Sequence, residues 1–428
     1  MSFDTSESFA RETDRRDPLA SFRGRFHRPR GRIYLDGNSL GLASREAVAE
    51  LSRTLREWRT LGIGGWLEAD PPWFTLGETL GALAAPLVGA SSEEVVCSGT
   101  TTVDLHALVA TFYRPEGRRR RILADCLNFP SDLYALAGQL KLRGLAAEHL
   151  LVLAESRDAR TLDEAQLIAR MDDEVALVLL PSVLYRSGQL LDLERLARAA
   201  RERGILIGLD CSHSVGAVPH RFDAWGVDFA FWCGYKYLNG GPGSPAFLYV
   251  NRRHFGAEPL LAGWWGYIKE RQFAMDPEFR HEPSAAGWQI STPAVLSAAP
   301  LLGALRVIHD AGIERIRARS LELTGYLMFL VDNLLPQERT CLSIGTPREP
   351  GRRGGHVALE GPGWMWQVHQ AIKARGIVPD YRPPGVIRLA PTALYTSFHE
   401  VWRTVRTIKT VLDRGEYRRY PLERTAVT

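Results

Sequence analysis

The sequence predicts an α/β fold built on a mainly parallel central sheet, accompanied by a second, smaller α+β domain. Three features carry this expectation: short apolar runs bounded by turn residues, helix-period segments between them, and a change of rhythm to longer helices after about Pro293. The apolar runs of strand length fall at residues 94–97, 122–124, 175–180, 205–209, 229–232 and 246–250. Between the third and fourth, Leu193, Leu196, Ala197 and Ala200 recur at helical spacing with charges on the opposite face. Gly204 stands where that helix should end, so one strand–helix–strand unit is directly readable. Beyond Pro293 the pattern favours helices, one of them spanning roughly 397–414, with few strong strands. No internal repeat or low-complexity linker interrupts the chain.

With 428 residues, 45% hydrophobic and 24% charged, the chain can bury a sizeable core and reads as two domains. The net charge of +4 is small for this length, and acidic and basic residues are interspersed. The basic runs at 23–32 and 118–121 read as solvated turns, which argues against a nucleic-acid surface. No stretch of eighteen uncharged apolar residues occurs, and residues 1–30 lack an apolar core of signal-peptide length, so no membrane partner is expected and the cytoplasm is the expected location. Cys97, Cys126, Cys211, Cys233 and Cys341 form no Cys-x-x-Cys pair. They read as buried small side chains, with neither a disulfide framework nor a metal site.

Chemistry concentrates where two central strands end. The run at 205–209 leads into Asp210-Cys211-Ser212-His213-Ser214-Val215-Gly216, and the next into Cys233-Gly234-Tyr235-Lys236-Tyr237-Leu238-Asn239-Gly240-Gly241-Pro242-Gly243. In an open α/β sheet, ligands sit at the carboxyl ends of strands, so a carboxylate and a lysine can converge on one crevice. That pair suits pyridoxal 5′-phosphate: an aspartate keeps the pyridine nitrogen protonated, and the lysine amine forms a Schiff base with the aldehyde. Tyr235, Asn239 and the following glycines can offer hydroxyl, amide and backbone N–H groups to a phosphate. Gly-Gly-Pro-Gly alone would be an ordinary turn; its spacing from Asp-x-x-His-x-x-Gly and Gly-Tyr-Lys-Tyr-Leu gives it meaning. Neither Gly-x-x-x-x-Gly-Lys-[Ser/Thr] nor Gly-x-Gly-x-x-Gly is present, which removes the main support for nucleotide readings.

Several segments carry a more particular likeness. Tyr34-Leu35-Asp36-Gly37-Asn38-Ser39-Leu40-Gly41-Leu42, Asn128-Phe129-Pro130-Ser131-Asp132, Asp223-Ala224-Trp225-Gly226-Val227-Asp228, Gly263-Trp264-Trp265-Gly266 and Ile387-Arg388-Leu389-Ala390-Pro391 resemble the kynureninase family, within the class V aminotransferase group. So does Trp232 to Asn239, and the matches run in order from about residue 34 to 398. The resemblance implies the fold type I of pyridoxal-phosphate-dependent transferases. It also implies an N-terminal segment (1–60) that joins the small domain, a large cofactor domain (61–300), a C-terminal small domain (301–428), and a homodimer with shared active sites.

Carried over residue by residue, the resemblance places Thr101, Thr102 and Tyr235 at the phosphate and Phe129 on the cofactor ring. Asp132 falls beside that ring, and Pro130 and Ser131 count with it among the cofactor-binding residues. Asp210 matches the pyridine-nitrogen partner, His213 its neighbour over the ring, and Lys236 the aldehyde-binding lysine and general base. Trp264 and Thr292 fall where the family reaches across from the other subunit. Arg388 matches the residue that holds the substrate α-carboxylate, with Asn38, Ser39 and Trp66 also toward the substrate. The implied reaction is hydrolysis of the Cβ–Cγ bond of kynurenine to anthranilate and alanine. Trp66 and Thr292, where animal-type members carry histidine and asparagine, favour kynurenine over its 3-hydroxy form. Open alternatives are 3-hydroxykynurenine or a modified kynurenine, another class V enzyme such as an aminotransferase, and a non-catalytic scaffold. For a desulfurase, Cys341 is the candidate nucleophile, but 340–344 reads as a strand that buries the thiol. Residues 181–189 keep a Ser-Gly-Gln ending yet otherwise depart from the family pattern, and Gly243-Ser244-Pro245 is unusually compact.

Overall fold

The computed structural model describes residues 3–423. Its centre is a seven-stranded sheet made of β1 (Val95–Ser98), β2 (Arg121–Asp125), β3 (Leu151–Ala154), β4 (Val175–Pro181), β5 (Leu206–Asp210), β6 (Phe229–Cys233) and β7 (Ala246–Val250), in the order β1-β7-β6-β5-β4-β2-β3. The β6-β5-β4-β2-β3 pairings are parallel, and only β7 runs antiparallel to both of its neighbours. Six of these strands lie at the predicted runs with ends shifted by a residue or so. The seventh, β3, is an edge strand, and its partly exposed Leu151-Val152-Leu153 gives a weaker apolar signal.

Both faces of the sheet are covered, so its inner strands are buried throughout. Leu177, Leu179, Phe229, Phe231 and Leu248 pack into one core with Phe112 and Trp288. Val178, Leu180, Ile207, Leu209, Ala230 and Trp232 point into another. The helix Leu193–Glu202 occupies its predicted place, with the Asp192 carboxylate accepting from the Arg195 amide at 3.1 Å and Gly204 in the left-handed region beyond it.

A third core gathers Ala10, Ile33 and Leu35 with residues from Leu323 to Val411. Around it lie β8 (Ser343–Ile344), β9 (Val357–Glu360), β10 (Asp380–Arg382) and β11 (Val386–Leu389), an antiparallel sheet in the order β10-β11-β9-β8 that the sequence hardly announces. The helix expected at 397–414 is Phe398–Asp413, opened by a capping box of Ser397 and Glu400. The N-terminal segment is tied to this region by the parallel pair Ile33–Tyr34 and Ile377–Val378, and by Ala390 N–H donating to the Leu35 carbonyl at 2.8 Å. The helices Arg45–Leu61 and Val295–Ala311 pack against each other.

Two expectations about cysteine need correction. Cys97, Cys211 and Cys233 are buried, but Cys126 and Cys341 are exposed. Cys341 does not begin a strand; it closes the short helix Gln337–Thr340 with a φ of 55°, so its thiol faces outward and only Ser343–Ile344 is extended. The basic runs are partly engaged: Arg23 pairs with Glu400, Arg25 with Glu46 and Asp310, and Arg119 donates to the carbonyls of Arg203 and Gly204. Among the described residues, no helix is long and apolar enough to cross a membrane.

Candidate active site

A pocket of about 330 Å³ opens at the carboxyl ends of β5 and β6. It is lined by twelve of the residues singled out in the sequence: Asn38, Ser39, Thr101, Thr102, Phe129, Ser131, Asp132, Asp210, His213, Tyr235, Lys236 and Arg388. The backbone explains how each arrives. Asp210 ends β5, and its carboxylate accepts from the Ser212 amide at 2.8 Å, which starts the turn that brings His213 round. Lys236 follows β6 in a tight turn where Gly240 N–H donates to the Gly234 carbonyl at 2.9 Å. Its Nζ lies 3.0 Å from His213 Nε2.

Burial, and then the charges of Lys236 and Arg388, push the His213 imidazole well below its ordinary range, so it is neutral. Asp132 sits with Asp210 at the same end of the pocket. Burial and then the Asp210 charge push its carboxyl well up, and its Oδ2 has no partner.

A helix N-terminus also borders the pocket. The helix Thr101–Phe112 has Thr100 at its N-cap position, so Thr101 and Thr102 lie in its first turn. Their hydroxyls meet Cys233 Sγ at 3.1 Å and Ser131 Oγ at 2.9 Å. The first-turn amides have no acceptor within the helix and favour an anion. Phe129 precedes the helix Pro130–Leu142, whose Pro130 takes the first helical position, and its ring remains 41% exposed at the pocket. Burial and then Cys233 raise the Tyr235 phenol, keeping it a proton donor.

The N-terminal segment closes one side. Gly41 N–H donates to the Tyr235 carbonyl at 2.8 Å, and a side chain at Gly41 would collide with the Lys236 carbonyl, so only glycine lets the segment come this close. This delivers Asn38, fully buried with neither its amide oxygen nor its nitrogen partnered, and Ser39. Ser39 Oγ accepts from Arg388 Nη2 at 3.1 Å, and Nη1 donates to the Tyr185 carbonyl at 2.7 Å. Arg388 is 1% exposed, and its Nε pairs with Asp380, directly opposite on β10, which also holds Arg382 at 3.0 Å.

Four residues lie elsewhere. Pro130 faces a neighbouring cavity, while Trp66 and Thr292 share a third, apolar one with Trp58, Trp73 and Leu296. Trp264 is 45% exposed and donates through its indole N–H to the Gln272 carbonyl at 3.2 Å. The sequence reading missed Tyr185, Ser212, Cys233, Arg382 and Asp380. A signal for the last two exists: Pro383-Pro384-Gly385 makes a turn that sets Asp380 across from Arg388.

Anion-binding amides and hydroxyls, an amine and two carboxylates share this one pocket. Pyridoxal phosphate has groups to match: a phosphate, an aldehyde and a protonated ring nitrogen that can donate a hydrogen bond to the Asp210 carboxylate.

Comparison with known proteins agrees. A family model described as class-V aminotransferase matches residues 33–352, and one described as the kynureninase C-terminal domain matches 316–408. A kynureninase of Geobacillus thermodenitrificans is 52% identical over 98% of this chain and 97% of its own length. One of Bacillus cereus is 48% identical over 99% of each. Among solved structures, the apo cysteine desulfurase of Thermococcus onnurineus superposes with a TM-score of 0.77 at 20% identity, covering 94% of this chain and 98% of that one. A C-DES mutant with glycine covalently linked to its PLP cofactor gives 0.78 at 17%, covering 90% and 98%. These share the type I fold, and the chain belongs to the kynureninase family.

Proposed function

We propose that this chain hydrolyses the Cβ–Cγ bond of L-kynurenine, releasing anthranilate and L-alanine, with pyridoxal 5′-phosphate held around Lys236. The observation that carries this is the meeting, in one pocket, of an amine, a carboxylate pair, a helix N-terminus and a buried guanidinium.

When bound, the cofactor supplies an electron sink for charge developing on the substrate carbon skeleton. Asp210, seconded by Asp132, holds the ring nitrogen protonated. Thr101, Thr102 and Tyr235 bind the phosphate, with Ser131 beside them. Phe129 covers one face of the ring, and the neutral His213 the other. Arg388 fixes the substrate α-carboxylate with its guanidinium held in plane by Asp380, Ser39 and Tyr185. Asn38 offers its unpartnered amide to the same substrate. Lys236 Nζ, freed by the substrate amine, takes the Cα proton as general base. Water adds to the γ-carbonyl, the Cβ–Cγ electron pair passes to Cβ as that bond breaks and the hydrated carbonyl leaves as the anthranilate carboxylate, and the Tyr235 O–H protonates Cβ.

The working unit is a homodimer. Exposed Trp58, Ile63, Leu67, Trp264, Phe273 and Leu296 supply the apolar surface that a partner would cover. In that dimer Trp264 and Thr292 reach the partner's phosphate. Trp66 and Thr292, which share one cavity, meet the substrate ring with an indole and a short hydroxyl, favouring kynurenine over its 3-hydroxy form. Five unpaired thiols suit a reducing compartment such as the cytoplasm. The chain divides at 1–60, 61–300 and 301–428. The paired helices Arg45–Leu61 and Val295–Ala311 run through both boundaries, so the junction is a helix pair rather than a linker.

The test is direct. Purified protein should be yellow or become so with added pyridoxal phosphate, and kynurenine should yield fluorescent anthranilate stoichiometrically without a keto-acid acceptor. A colourless protein that the cofactor cannot restore, or a dependence on the acceptor, overturns the reading.

A further inference from the structure

The segment from Cys126 to Tyr134 is a partition. Phe129, Ser131 and Asp132 face the pocket of Lys236, whereas Cys126, Pro130 and Tyr134 face a separate cavity of about 360 Å³. Among the described residues, Tyr185 alone lines both. Its ring meets Phe129 edge-on, with centroids 5.3 Å apart at 82°, which completes the wall. Its carbonyl meanwhile holds Arg388.

The backbone around Tyr185 is fixed on both sides. Leu184 N–H donates to the Gln189 carbonyl at 2.8 Å and Gly188 N–H to the Leu184 carbonyl at 2.9 Å. The Thr346 hydroxyl donates to the Ser187 carbonyl, and the Gln189 amide bonds both the N–H and the carbonyl of Leu162. The main chain that serves Arg388 is therefore independent of the ring that serves the wall.

We propose that Tyr185 is a specificity-determining residue: its ring closes the substrate pocket off from the adjoining cavity and so sets the largest side chain the enzyme accepts. This rests on Arg388 being the carboxylate anchor, because a substrate fixed there meets the Phe129–Tyr185 wall as one boundary of its space, the Trp66 and Thr292 end being the other. Shortening residue 185 joins the two spaces without removing the carbonyl that positions the guanidinium.

The experiment compares holoenzymes of wild type, Tyr185→Ala, Tyr185→Leu and Tyr185→Phe. Calorimetric Kd and kcat/KM are measured for kynurenine and for kynurenine bearing a phenyl substituent on its aniline ring. Tyr185→Ala should shift the preference toward the larger ligand by about tenfold or more, and Tyr185→Phe should leave it unchanged. If the alanine variant loses cofactor, Tyr185→Leu gives the same comparison in a milder form. A preference within about twofold of wild type in the shortened variants overturns the proposal, as does an equal shift in Tyr185→Phe. A wild type that releases no anthranilate refutes the activity and leaves the Kd comparison to decide the wall.

Discussion

Asp36 shows how far burial alone moves a single group. Its carboxyl is pushed from 3.8 up to about 6, by burial first, against a lowering contact with Ser39, and Oδ1 has no partner. The folded chain therefore prefers the protonated form. That stabilisation is complete below about pH 4 and is lost as pH rises through 6. Asp36→Asn, which cannot ionise, should gain stability over wild type at pH 8 but not at pH 4, as read by urea denaturation. An equal difference at both pH values refutes it.

Tyr235→Phe tests the proton role at the same scale. The variant should keep its cofactor yet lose roughly 10²-fold in kcat, and full turnover would remove Tyr235 from the proton path. Lys236, Asp210 and Arg388 were legible because each sits in a run of unusual neighbours. Asp380 and Tyr185 were not, since one depends on a cross-strand register and the other on how a departing loop closes.

At the scale of elements, a buried pair pins the N-terminal segment to the helix Ile313–Leu334. Asp17 and Arg319 are both nearly inaccessible, with Nε 2.6 Å from the carboxylate, and Arg319 also donates to the Ala393 carbonyl. Asp17→Ala leaves an uncompensated buried guanidinium and should cost about 3–5 kcal/mol of unfolding free energy, measured by denaturant titration. A loss below about 1 kcal/mol would place the pair among surface bridges. Apolar runs announced the inner strands of the large sheet because both faces are covered. The small antiparallel sheet escaped notice: its strands are two to four residues long, too short for any period to emerge. Cys341 was misread for the same reason, a few alternating residues imitating a strand where a helix ends.

For the whole molecule, the decisive question is whether a second copy completes the site. Ile63 is 84% exposed and lies three residues from Trp66. If the exposed apolar surface is the proposed dimer contact, Ile63→Glu should place a charge in it, shift the protein toward monomer in light scattering, and lower turnover along with it. A fully active monomer would refute the shared-site arrangement.

The threading of the N-terminal segment has a consequence for biosynthesis. Asn38 and Ser39 are made before the segments that hold them in place, Ile377–Val378 and Ala390, some 340 residues later. A nascent chain can finish the large sheet and its lysine turn while still on the ribosome. It cannot seat Asn38 or Arg388 until residues 377–390 have emerged, so closure over such a long separation comes late in the folding of this region.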